Sequence, residues 1–220
     1  MNGFEKQELE TQGMMSRLFG SKPGHNALVE INNFLAESTA ATELTEEIVS
    51  NFIKNWGAKF DSSNIEYRSS MYRKVADHVY ISAVSKDDPV FEETKHLAQV
   101  LELPEKLQRL ADNGAKKVAY FSRCRKIISG EEPLTISEIN NVFGYDYEDG
   151  YDIRVQVFHD YLNKKFDEIA EQQRFSPDEE TALREICTKL DIPYEFKPNI
   201  QNALDKYRYL WSAENAPLDR

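Results

Sequence analysis

The chain has 220 residues and a mass near 25.5 kDa, and its 27 Lys and Arg against 38 Asp and Glu leave a net charge of −11. That balance argues against general adhesion to nucleic acid or to an anionic membrane, leaving only a local basic patch for such a role. A domain this long buries about 70% of its unfolded surface, so no disulfide or metal is needed to staple it.

Residues 1–24 read as a flexible polar arm with a small apolar patch at Met14, Met15, Leu18 and Phe19. Glu5, Glu8 and Glu10 stand where a secretory signal would need a cationic start and an apolar run. Gly20 to Gly24 reads as a linker. Helical spacing of apolar residues then begins at about Asn26, with Ala27, Leu28, Ile31, Phe34 and Leu35. A second helix follows Thr45 and carries Ile48, Val49, Phe52, Ile53 and Trp56. A third covers about 65–84, with Tyr72, Val75, Val79 and Tyr80. A fourth is expected to start after Asp88, with Pro89 at its first position, and to stop before Pro104. A short helix near 105–111 and another over about 115–128 come next.

Thr135-Ile-Ser-Glu138 is a capping box that opens a short helix ended by Gly144. A long amphipathic helix carries Val155, Phe158, Leu162, Phe166 and Ile169. Ser176-Pro-Asp-Glu179 is a second capping box, opening a helix with Leu183, Ile186 and Leu190. The last helix covers about 199–214, and Ile200, Leu204, Tyr207 and Trp211 lie on one face of it. That face is expected to pack on Leu183, Ile186 and Leu190 and to bury Trp211.

The helix starts at Thr45, Asp88, Thr135 and Ser176 stand 43, 47 and 41 residues apart. Apolar residues precede three of them, at Leu44, Leu134 and Phe175; Leu44 and Leu134 can staple onto Val49 and Ile139, whereas Glu180 breaks the pattern after Phe175. The pattern predicts an all-α protein of tandem helical hairpins, packed as a compact bundle or a short curved array. Residues 25–144 form the helical-hairpin region and 145–220 the C-terminal helical region.

The last hairpin, with Phe175-Ser-Pro-Asp-Glu-Glu180, Leu190-Asp-Ile192 and Tyr207-Arg-Tyr-Leu-Trp211, resembles the bacterial TerB-like, tellurite-resistance-associated helical family. Leu44-Thr-Glu-Glu47 looks like a weaker copy of the same start. The resemblance implies an EF-hand-like helix pair without the calcium loop, and a role in bacterial stress response or defence. It also implies that Tyr207 to Leu218 resembles a linker that often leads into a small β-rich domain. Some family relatives bind metal through acidic side chains. No carboxylate cluster recurs from repeat to repeat here, which separates this chain from them.

Asp146-Tyr-Glu-Asp-Gly150-Tyr-Asp152 invites a calcium reading, but neither frame places Asp, Gly and Glu at positions 1, 6 and 12 of an EF-hand loop. It reads instead as an acidic turn before a helix. His25, His78, His96 and His159 form no zinc-binding motif, and no phosphate loop or nucleophile elbow is present. Cys124 and Cys187 suit small buried residues in a reducing cytoplasm. Arg123 and Arg125 flank Cys124, yet no base stands in sequence to activate it.

One basic cluster remains: Lys116, Lys117, Arg123, Arg125 and Lys126. At about 100° per residue these cations spread around a helix rather than forming one stripe. They are the candidate contacts to phosphate or to an acidic partner; the competing reading is a solvated face paired with the chain's own carboxylates.

The combined expectation is a non-enzymatic interaction module that binds another protein, needs no cofactor or metal, spans no membrane and works in the cytoplasm. The rivals are a metal-dependent protein or enzyme with a site assembled from separated His, Asp and Glu, and a nucleic-acid binder acting through 116–126.

Overall fold

The computed structural model describes residues 3–9 and 23–216. The described residues hold nine α-helices and no strand: α1 (Pro23–Glu37), α2 (Glu46–Trp56), α3 (Ile65–Ser82), α4 (Phe91–Val100), α5 (Glu105–Ser129), α6 (Ile136–Phe143), α7 (Tyr151–Gln172), α8 (Pro177–Lys189) and α9 (Pro198–Glu214). The protein is all-α. A 3₁₀ turn, Ala41–Glu43, lies between α1 and α2. No helix among the described residues is long and apolar enough to cross a membrane. The chain divides into two units at 119/120, inside α5.

Local chemistry sets several helix starts. The Thr45 hydroxyl accepts from the Ile48 amide, and Thr135 and Ser176 each form the reciprocal box with Glu138 and Glu179. The backbone amide and hydroxyl of Thr135 both donate to Glu138, which holds that carboxyl below its ordinary range. Gly57 and Gly144 end α2 and α6 in the left-handed conformation that favours glycine.

Asp88 behaves differently from the expected cap. Its carboxylate accepts from the amides of Val84 and Val90, which closes a turn, and α4 starts only at Phe91. Helix α5 also differs, because 105–129 is one continuous helix where two were expected. Gly114 lies in its middle, and a Cβ there would fall 2.0 Å from an Arg73 guanidinium nitrogen. Glycine admits Arg73, while Asp112 accepts a 2.9 Å hydrogen bond from the Tyr72 hydroxyl. Contacts to α3 thus accompany the weak helix-forming stretch Asp112-Asn113-Gly114.

The N-terminal unit closes over a core of Leu28, Ile31, Leu35, Val75, Val79 and Leu97, among others. Leu44 and Val49, the expected staple pair, are both part of it. Arg68 is 3% exposed and donates to the carbonyls of Leu101, Glu102 and Asp61 at 2.7, 3.1 and 2.9 Å. It thereby satisfies acceptors that the C-terminal end of α4 leaves open. Phe4, in the segment expected to be a flexible arm, is buried in this same core.

Burial pushes the Asp112 carboxyl up, against the opposing pull of the Tyr72 hydrogen bond and Lys116. The folded protein therefore holds a proton there that the unfolded chain has released, so this group's contribution to stability falls as pH rises from the ordinary carboxyl range through its raised value. Asp112→Asn keeps an acceptor for Tyr72 and removes the charge. Its stability curve should lose that decline, and a slope unchanged just above the ordinary carboxyl range would contradict the assignment.

In the C-terminal unit, Leu183, Ile186 and Leu190 are buried as their spacing predicts. In α7 the buried set is Arg154, Val157, Phe158, Leu162 and Ile169, while Val155 and Phe166 are only partly covered. In α9 only Leu204 is fully buried; Ile200, Tyr207 and Trp211 are half-buried. The Tyr207 ring stands 6.4 Å from Phe166, and its carbonyl accepts from the Phe175 amide. The Trp211 end of α9 is less enclosed than its unbroken register predicts.

Candidate functional site

Helix α5 carries the five candidate cations, and folding gives them different fates. Lys116 and Lys117 belong to the N-terminal unit, and Arg123, Arg125 and Lys126 to the C-terminal one. The Lys116 ammonium lies 5.6 Å from the centre of the Tyr80 ring. Arg123 is 3% exposed, with its guanidinium 5.7 Å from the Phe143 ring centre. Its place on the candidate contact surface is therefore corrected: it is a core residue, because its helical position faces α6. Lys117, Arg125 and Lys126 are exposed.

Arg125 opens onto a groove of about 590 Å³ between the end of α5 and the middle of α7. The groove's polar lining is Ser129, Asp160, Tyr161, Asn163 and Lys164 with Arg125. Val157 and Ile128 supply the apolar part. Asp160, Tyr161 and Lys164 follow Val157 at helical spacings of 3, 4 and 7, so they form a stripe along one side of α7. That stripe was readable in principle, but the apolar series from Val155 to Ile169 directs attention to the opposite face. The groove joins two cations, one carboxylate, a phenol, an amide and a hydroxyl around a small apolar floor. Such a lining can pair with carboxylate or phosphate and can place an aromatic or aliphatic side chain.

The centre of the unit is organised around Arg154, which is 0% exposed. Its guanidinium donates to the Tyr120 hydroxyl at 2.9 Å and to the Tyr147 carbonyl at 3.0 Å. It also lies 4.7 and 5.7 Å from the ring centres of Tyr147 and Tyr151. The Tyr120 hydroxyl in turn donates to Asn140 Oδ1 at 2.7 Å. Burial works against the Arg154 charge, but the hydrogen bonds to Tyr120 and Tyr147 outweigh it and raise its pKa. Burial likewise pushes the Tyr120 phenol up to about 12, so it stays protonated at neutral pH. Ring faces and neutral oxygens, rather than a carboxylate, make up the contacts of this cation.

The acidic turn is a structural device built beside Arg154. Asp146 Oδ1 accepts from the amides of Glu148 and Asp149, both at 3.0 Å, and Asp149 Oδ2 accepts from the Asp146 amide at 3.0 Å. Gly150, the residue that most suggests a calcium loop, is required by Tyr120: a Cβ there would fall 2.4 Å from the phenol ring. Calcium at millimolar concentration should leave the melting temperature unchanged. A saturable rise that Asp149→Ala abolishes would contradict this reading.

The remaining reactive groups are dispersed. Cys124 and Cys187 are buried free thiols, and burial raises them to about 12 and about 11, far from the reactive thiolate range. His96 is 2.8 Å from the Leu44 carbonyl, and the His25 ring meets Tyr67 edge-on at 5.9 Å. Among the described residues, no three His, Cys, Asp or Glu side chains come together in a way that would hold a metal ion. Comparison with protein-family models, with curated proteins and with solved structures finds no match to this chain.

Proposed function

We propose that this chain is a non-enzymatic helical interaction module, and that the Arg125–Lys164 groove contacts an acidic stretch of another protein. The observation that carries the reading is the groove's lining, in which two cations flank a small apolar floor on a chain whose net charge is −11. Against that background, a local cationic site is where an acidic segment finds charge complementarity. Buried chemistry supports the same conclusion: Arg123, Arg154 and the two cysteines are held inside their unit. The TerB-like resemblance of the stretch from about 155 to 214 suggests the setting, a bacterial stress-response or defence assembly in the cytoplasm.

Capture from the native cell tests the reading when the wild type is compared with Arg125→Glu/Lys164→Glu. Both side chains are exposed, so the variant should keep the wild-type melting temperature within the small range usual for surface changes. It should lose partners that the wild type releases at raised salt. Identical captured sets from the two proteins would refute the groove as the contact.

A further inference from the structure

The strongest unexplained feature lies in the N-terminal unit, where residues 4–9 run without regular secondary structure beside α1 and α3. Phe4 is the one residue of this segment whose side chain is buried, and the rest stay exposed. The Lys74 ammonium covers its ring at 5.0 Å. Beyond Phe4 the segment is held largely by its backbone. Asn32 Nδ2 donates to the Glu5 carbonyl at 2.8 Å. Asn33 takes both backbone groups of Gln7: its Oδ1 accepts from the Gln7 amide and its Nδ2 donates to the Gln7 carbonyl, each at 2.8 Å. One side-chain amide thus does what a neighbouring strand would do for that residue. Two side-chain contacts add selectivity: the Tyr67 hydroxyl donates to Gln7 Oε1 at 2.5 Å, and Lys6 pairs with Glu37.

Two adjacent asparagines in mid-helix call for a reason, since Asn is a poor helix former. Asn32 is 1% exposed, so its amide needs a partner, and the Glu5 carbonyl provides one. The combination of one aromatic pocket and a backbone clamp is the pattern by which proteins read extended peptides.

We infer that the α1–α3 face is a peptide-recognition groove whose present occupant is residues 4–9, and that it accepts from a partner protein a short non-helical segment with an aromatic residue at the Phe4 position and glutamine three residues later. The occupant's chemistry is taken from the segment already seated there. Thirteen residues, 10–22, join this segment to α1. Thirteen residues can reach at most about 45 Å, so residues 4–9 compete for the face as an intramolecular ligand. An external peptide must compete with that, so the groove is self-blocked against weak ligands. The inference concerns a different unit and a different ligand from the Arg125–Lys164 groove.

The test uses the full-length chain carrying Phe4→Ala and a fluorescent synthetic peptide of residues 3–9. Saturable binding is expected, at least about tenfold tighter than to wild type because the tethered competitor has lost its anchor. The peptide should also raise the variant's melting temperature. Adding Asn33→Ala should abolish binding, and a peptide with alanine in place of phenylalanine should not bind. A helical Phe4→Ala chain that takes up no peptide, or binds it regardless of Asn33, overturns the inference. If Phe4→Ala loses its helical dichroism, the same titration on Phe4→Leu decides in the same way. A wild-type dimer that Phe4→Ala or Phe4→Leu converts to monomer would assign the groove to a second copy and overturn the partner assignment. The titration needs only purified protein, so its failure leaves the acidic-partner reading intact.

Discussion

Arg154→Ala should destabilise the protein by about 3–5 kcal/mol, the scale on which truncating a large core side chain to alanine is felt. The side chain is 0% exposed, so truncation leaves a large void as well as an unpaired Tyr147 carbonyl. Tyr120 keeps its bond to Asn140 but loses the guanidinium that fixes its hydroxyl from the other side. Two ring faces lose their cation at the same time. Native stability is typically only about 5–15 kcal/mol, so the variant would stand near the unfolding threshold. Arg154→Lys separates charge from shape. A lysine keeps the charge but lacks the planar fork that reaches both oxygens, so it should recover only a minor part of the loss. Denaturant curves check both variants, and an Arg154→Ala midpoint that overlays wild type would remove Arg154 from the centre of the account.

Gly150→Ala should cost about 1–3 kcal/mol, the range for overpacking an enclosed core, although it adds a single methyl group. The backbone does not forbid alanine, since φ is −100° at this position. The obstacle is Tyr120, whose ring carbon and hydroxyl would lie 2.4 and 2.5 Å from the new Cβ. The ring is 0% exposed and is held by Asn140 and Arg154, so it cannot swing aside cheaply. A double-mutant cycle identifies this cause. In a Tyr120→Leu background the ring tip is absent, and Gly150→Ala should become nearly neutral, giving a coupling energy of about 1 kcal/mol or more. Additive losses would place the origin of the Gly150 requirement elsewhere.

These two residues mark the line between what was legible in the sequence and what was not. Thr45, Thr135 and Ser176 were legible because a cap is made by residues within four positions of one another. Leu183, Ile186 and Leu190 were legible because a single helical face carries them inward. Arg154 was not, since a guanidinium is buried only when distant aromatic rings and carbonyls receive it, and Tyr120 stands 34 positions away. Gly150 was visible but misleading, because an acidic turn with glycine suggests metal while the actual constraint is the Tyr120 ring. The break expected near Gly114 failed for the same reason: weak helix formers are held in α5 by Tyr72 and make room for Arg73. Of the five candidate cations, periodicity could not tell that Arg123 turns inward while Arg125 opens onto a groove. Their neighbours, Tyr161 and Lys164, come from another helix.

Amide hydrogen exchange of the chain, alone and with the protein it captures, tests the interaction reading most directly. Backbone protection on complex formation should concentrate in the segments that line the Arg125–Lys164 groove, the end of α5 over 125–129 and α7 over 157–164. The same protection should be absent with Arg125→Glu/Lys164→Glu. Protection confined to other helices, with 125–129 and 157–164 exchanging as in the free chain, would contradict the account.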